Sequence, residues 1–281
     1  MKANDGKSLV QATIADMGID RKRGRDVHGI ADIAPESVLL AGAGRAILLQ
    51  LAHPAVGHGV ARHSDFARDP MKRFHGTLRY IYSLTNGTPE QAAAARAWVD
   101  GAHKPVRSAA AADGSHPAYD ARDPSLQLWV AATLYDSAAA VRDAVLPPLT
   151  PDAAEAQYRD YAVLGTALQM PEGAWPATRA EFAAYMAGML QTLRVDDAVA
   201  SVARELLAAH SAPAWARALM PLARLLTAGL LTPELRAAFG LPWSARRDRA
   251  FRTVMAATAV IYPRLPEAVR HAPMRYYLRT P

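Results

Sequence analysis

The chain has 281 residues, with 32 Lys and Arg against 26 Asp and Glu, 51% hydrophobic residues and no cysteine. A chain of this length can bury roughly 75% of its unfolded surface, so its core needs no covalent staple; without cysteine it has no disulfide, thiolate zinc site, iron–sulfur cluster, covalently attached haem or cysteine nucleophile. The net charge of +6 is spread along the chain and carried mostly by arginine, and no recognition motif accompanies it, so no nucleic-acid partner is expected.

From the N-terminus, residues 1–30 are polar and charged and read as an arm, packed late or disordered, ahead of one domain over 31–281. No continuous apolar segment with a small-residue cleavage site occurs there, and the expected location is cytoplasmic. Val38–Ala52 is strongly apolar but interrupted by Arg45, and Val254–Tyr262 is far shorter than the ~20 residues a spanning helix needs. No transmembrane segment is therefore expected. Alanine and leucine are abundant, β-branched runs are scarce, and Asn86-Gly87 and Asp113-Gly114 both sit between helical patterns. Asp69, Thr88, Asp123, Thr150 and Thr232 each precede a proline, which marks a capped helix start, and Thr178 with Glu181 makes a capping box. The periodicity predicts an all-α single domain of about ten helices, over 36–51, 54–62, 70–84, 89–104, 124–145, 151–168, 179–192, 196–209, 213–239 and 244–263.

Chemistry concentrates in the first half. His53 ends an apolar helix just before Pro54, where an imidazole can cap the terminal carbonyls. His58 and His63 are five apart, which is not a spacing that puts two ligands on one helical face. On the Pro70 helix, Met71, Phe74, Leu78 and Ile81 form a core stripe, and Arg73, Thr77 and Tyr80 lie one turn apart beside it. That polar row either faces solvent or lines a pocket wall, where a guanidinium suits a carboxylate such as a cofactor propionate. His103 shares a face with Ala92, Arg96 and Val99, and Pro105 makes its helix bend or stop there. A bend frees a carbonyl that can hold the imidazole N–H; a stop leaves His103 in the last turn. Further on, Trp129, Thr133 and Asp136 share a face, as a cofactor wall or as a core tryptophan with a Thr–Asp pair.

The runs GAGRAILLQLAHPAVGHGVARHSDF, DPMKRFHGTLRYIYSLTNG, HKPVRS, DPSLQLWVAATLYDS and WPATRAEFAAYMAGML occur in that order from about Ala41 to Leu190. Together they resemble the DUF2236 family, which contains the latex-clearing rubber oxygenases and the fungal MpaB-type oxygenases. The resemblance implies an all-helical oxygenase that holds haem b through a single proximal histidine, with O2 bound opposite. His103 matches the proximal ligand, Arg73 and Thr77 match an Arg-x-x-x-Thr pair at the haem pocket, and Thr133 matches a pocket threonine. Trp129 would join the cofactor wall, and the substrate would be small and apolar. The rubber oxygenases carry a lysine where this chain has Gly76, use a pocket glutamate although none occurs between Glu36 and Glu90, and many members have a histidine where Ala131 stands. These departures bear on isoprenoid double-bond cleavage more than on haem binding. Two alternatives stand beside this reading. One is a haem-free or non-haem-metal relative using His53, His58 or His63; the other is a non-catalytic helical ligand-binding protein.

Overall fold

A computed structural model describes residues 27–63 and 70–279. Most of the expected arm and the Asp69 cap lie outside the described residues.

The chain is all-α apart from one two-stranded ribbon. The short helix α1 spans Ile30–Ile33, starting at the last residue of the stretch expected as an arm, and both of those isoleucines are buried. A 3-10 turn over Ser37–Gly42 leads into α2, Ala43–Ala52, so the first predicted helix is two pieces. His53 then adopts extended backbone, as a residue before proline must, and α3 runs over Pro54–His63. The two segments meet at 100°. The bend is tight: a Cβ on Gly57 would lie 2.2 Å from the carbonyl oxygen of Leu51, so only glycine fits.

Helix α4, Pro70–Asn86, and helix α5, Pro89–His103, form a hairpin of helices. Thr88 and Gln91 close a capping box at the start of α5. The helix stops at His103 rather than bending through it, because Pro105 has no N–H to continue the ladder. Beyond it, Arg107–Ser108 (β1) pairs antiparallel with Tyr119–Asp120 (β2). Asp113-Gly114 therefore turns a ribbon, with Gly114 at φ +74°, and does not merely separate helices.

Helix α6, Pro124–Val145, follows its Asp123 cap as predicted and is the central strut. Trp129, Thr133 and Val141 on it are wholly buried, and it packs against α2, the 3-10 turn and later helices. The predicted 151–168 helix breaks into α7, Pro151–Asp160, and α8, Val163–Thr166. Helix α9, Arg179–Thr192, and helix α10, Asp197–Ala208, keep their Thr178 and Asp196 caps. The predicted 213–239 helix splits into α11, Ala214–Leu230, and α12, Pro233–Ala238, because the Thr232 cap and Pro233 start a new helix. Helix α13, Ala245–Ile261, is followed by two short helices that the periodicity does not announce, α14, Glu267–Arg270, and α15, Ala272–Arg279. No single helix among the described residues is long and apolar enough to cross a membrane.

Candidate functional site

The first site element is a polar seam between α2 and α6. Arg45 and Gln50 on α2, and His53 just past its end, each meet a residue of α6. Arg45 reaches Asp136 at 2.6 Å, the Ser137 hydroxyl at 3.0 Å and the carbonyl of Leu230 at 2.9 Å. It thereby joins α2, α6 and the C-terminal end of α11, where a cation meets free carbonyls. One rung along, the Gln50 amide donates to the Thr133 hydroxyl at 3.0 Å, and that hydroxyl donates to the carbonyl of Val130 at 2.8 Å. The last rung sets the His53 ring 6.1 Å from the Trp129 ring. The pairing of Thr133 with Asp136 considered from sequence does not form. Each finds its partner on α2 instead.

Two histidines stand out electrostatically. Burial holds the imidazoles of His53 and His103 below the usual histidine pKa, which favours their neutral form. The Arg73 charge lowers that of His103 further, against the opposing pull of Asp100 and Asp120. Arg73 on α4 and His103 at the end of α5 are thus electrostatic neighbours, a juxtaposition made by the helical hairpin. Nδ1 of His103, Nδ1 of His53 and Nε1 of Trp129 are all buried without a hydrogen-bond partner. No freed carbonyl holds His103 Nδ1, contrary to the expectation for a bent helix. A buried polar atom left unsatisfied costs about 1–3 kcal/mol and commonly marks a place where a ligand completes the set.

The second element is an apolar cavity of about 520 Å³ walled by the 3-10 turn, α2, α4 and α11. Met71, Phe74 and Ile81 face this space and are only partly buried, so the stripe read as core on α4 is in large part a cavity wall. Arg73 and Thr77 line the same wall, and Arg73 is the only charged side chain among the described lining residues. Gln50 links the cavity to the polar seam. Tyr80 is buried elsewhere, its hydroxyl donating to the carbonyl of Leu164 at 2.7 Å. Trp129, Thr133 and His103 do not line the cavity. Trp129 is sealed in the main core, and the Thr133 hydroxyl hydrogen is committed to Val130.

Gly76, where the rubber oxygenases carry lysine, is overlaid by an indole. A Cβ there would lie 2.4 Å from Trp98, so the Trp98 ring occupies the space through which a longer side chain would leave the helix. The remaining candidate histidines disperse. His58 pairs with Asp196 at 2.7 Å, and His63 is exposed against Tyr119. Among the described residues no three His, Asp or Glu side chains gather in a way that could hold a metal ion. Sequence reasoning missed Gln50, Trp98 and the whole α11 wall. None of the three carries a signal in the sequence, because only packing brings them to the site.

The family model for the ER-bound oxygenase mpaB/B'/rubber oxygenase catalytic domain matches residues 32–260. Two mycobacterial proteins named as uncharacterized, from Mycobacterium bovis and Mycobacterium tuberculosis, are each 37% identical over 214 residues, covering 74% of this chain and 83% of theirs. No solved structure matches.

Proposed function

Because the chain belongs to the family of mpaB and rubber oxygenase catalytic domains, a family of oxygenases, we propose that it is a haem b-dependent oxygenase acting on a small apolar substrate, with His103 as the iron ligand. The observation that carries this reading is His103 itself: a desolvated imidazole with a buried, unpartnered nitrogen beside the Arg73 guanidinium, which sits on the wall of an apolar cavity. A ligating histidine must be neutral, and a dianionic porphyrin needs a cation for its carboxylates, so this donor set fits the group. The non-covalent mode also agrees with the absence of cysteine. When bound, the haem supplies binding and activation of O2.

The chain's own residues supply the rest. Arg73 offers a fork of donors to a propionate or to an oxygen-derived anion, and Thr77, one turn on, offers a hydroxyl on the same wall. Thr133 acts at one remove, fixing the Gln50 amide that reaches the cavity. Trp129 backs the His53 side of the seam. The apolar walls exclude water and select an uncharged, hydrocarbon-rich substrate by burial. No carboxylate lines the cavity among the described residues, so the proton handling of the glutamate-bearing rubber oxygenases is not reproduced. Gly76 under Trp98 likewise leaves no amine to reach the iron.

A second ligand assignment is favoured by one observation. His53 is also desolvated, with its own buried unpartnered Nδ1. Titration of the purified protein with hemin, read as the Soret band, tests both. Binding with a shifted Soret is expected for the native chain, loss of that spectrum in His103→Ala, and retention in His53→Ala. The reverse pattern assigns the iron to His53. No Soret shift in the native chain overturns the haem reading.

A further inference from the structure

Helix α11 presents an outward arc that no described residue covers. Trp215, Leu219 and Leu222 are spaced i, i+4, i+7 and are 63%, 55% and 42% exposed. Large apolar side chains so exposed and contiguous mark an interaction surface more often than chance exposure does. Ala214, Ala218 and Pro221 between them are exposed as well, and the arc contains no charged side chain. The same Trp215, Leu219 and Leu222 also line the cavity, so the apolar surface continues inward as its wall.

Charge decides what covers this face. Exposed Arg217 and Arg224 border the arc, and no aspartate or glutamate occurs from Ser211 to Thr232. An amphipathic helix with an aromatic and aliphatic face, whose own charged residues are arginine alone, matches an anionic bilayer interface. The indole rests at the headgroup level, the leucines reach the acyl boundary, and arginine extends to the phosphates. We propose that the outward arc of α11 docks on an anionic lipid surface and that the cavity takes its apolar substrate from that surface. The loading step rests on the oxygenase reading above; the docking step stands without it.

The absence of cysteine makes the test clean. Leu222→Cys and, as a control on exposed α5, Ala93→Cys are each labelled with an environment-sensitive fluorophore and mixed with vesicles of phosphatidylcholine alone or with one quarter phosphatidylglycerol. The expected result is a blue shift at position 222 only, on the anionic vesicles, that weakens as salt is raised. Co-sedimentation of the unlabelled chain should fall more than ten-fold in Trp215→Glu/Leu219→Glu and on the order of five-fold in Arg217→Glu. Circular dichroism of all these variants, and the hemin spectrum of Arg217→Glu, which does not line the cavity, should match the native chain. If the native chain stays in solution with anionic vesicles, or the glutamate variants sediment equally, docking is overturned. A dimer in light scattering that protects position 222 and ignores vesicles assigns the face to a second copy instead, which also overturns it. Vesicle binding that persists in His103→Ala, whatever hemin does, separates failure of the haem reading from failure of this one.

Discussion

Arg45 shows how one residue acquires several jobs. Its guanidinium satisfies Asp136, Ser137 and the last carbonyl of α11 together, with its side chain only 13% exposed. Removing it leaves a half-buried carboxylate and a helix-end carbonyl without their donor, which costs more than the loss of an ordinary surface pair. Arg45→Met is expected to destabilise the fold by about 2–3 kcal/mol in urea unfolding. Asp136→Asn with Arg45→Met should then cost less than the two single changes added together, because the pair is one interaction. Sequence reading placed Arg45 in a family signature without a role. Its role is visible only when α6 and α11 are laid beside it.

Elements are held at close range by small residues. Gly44 on α2 faces α11, and a Cβ there would lie 1.9 Å from the Thr227 hydroxyl and 3.1 Å from its Cβ. Thr227 is buried, so it has little room to retreat. Gly44→Ala is expected to force the α2–α11 crossing apart at a cost of about 1–3 kcal/mol, read as a lower denaturation midpoint. Thr227→Ala should recover part of that loss. Because α2 and α11 are facing walls of the cavity, the same substitution should also weaken hemin or apolar-dye binding by more than its stability cost predicts. The glycines of Ala41-Gly-Ala-Gly-Arg45 both permit close packing. Gly42 meets the backbone of Ser137, with a Cβ placed 2.8 Å from its carbonyl oxygen.

Across the whole molecule, both ends of the described chain are drawn to one buried carboxylate. Glu36 accepts from the Tyr262 hydroxyl at 2.9 Å, pairs with Arg270 and lies 3.3 Å from His271. Arg270 ends α14 and His271 follows it in the turn before α15, and together they close the C-terminal helices over the 3-10 turn at the cavity rim. Stability should also depend on pH through the two buried imidazoles. His53 and His103 have folded pKa values below their unfolded value, so the unfolded chain binds more protons and stability rises with pH. Their contribution is complete above the unfolded value of about 6.5 and is lost as pH falls from there towards the lowered folded values. The melting temperature should therefore drop on acidification below that point. A His53→Gln/His103→Gln variant should show a shallower drop over the same window.

The sequence by itself determined the helical class, most helix starts and the family, and it put the candidate residues for chemistry on α4 and α5. It did so because caps, prolines and apolar periodicity act over three or four residues, and because motif order is a linear property. It also placed Arg73 and His103 on consecutive helices, although not their nearness. Tertiary structure alone decided that His53, Gln50 and Arg45 face one helix, and that Trp98 covers Gly76. It alone turned a presumed core stripe into a cavity wall and left the arc of α11 bare. These outcomes depend on which helices lie side by side, and that is set by packing between residues far apart in the chain. A hydrophobic stripe reads the same in sequence whether it meets another helix, an empty pocket or a lipid surface.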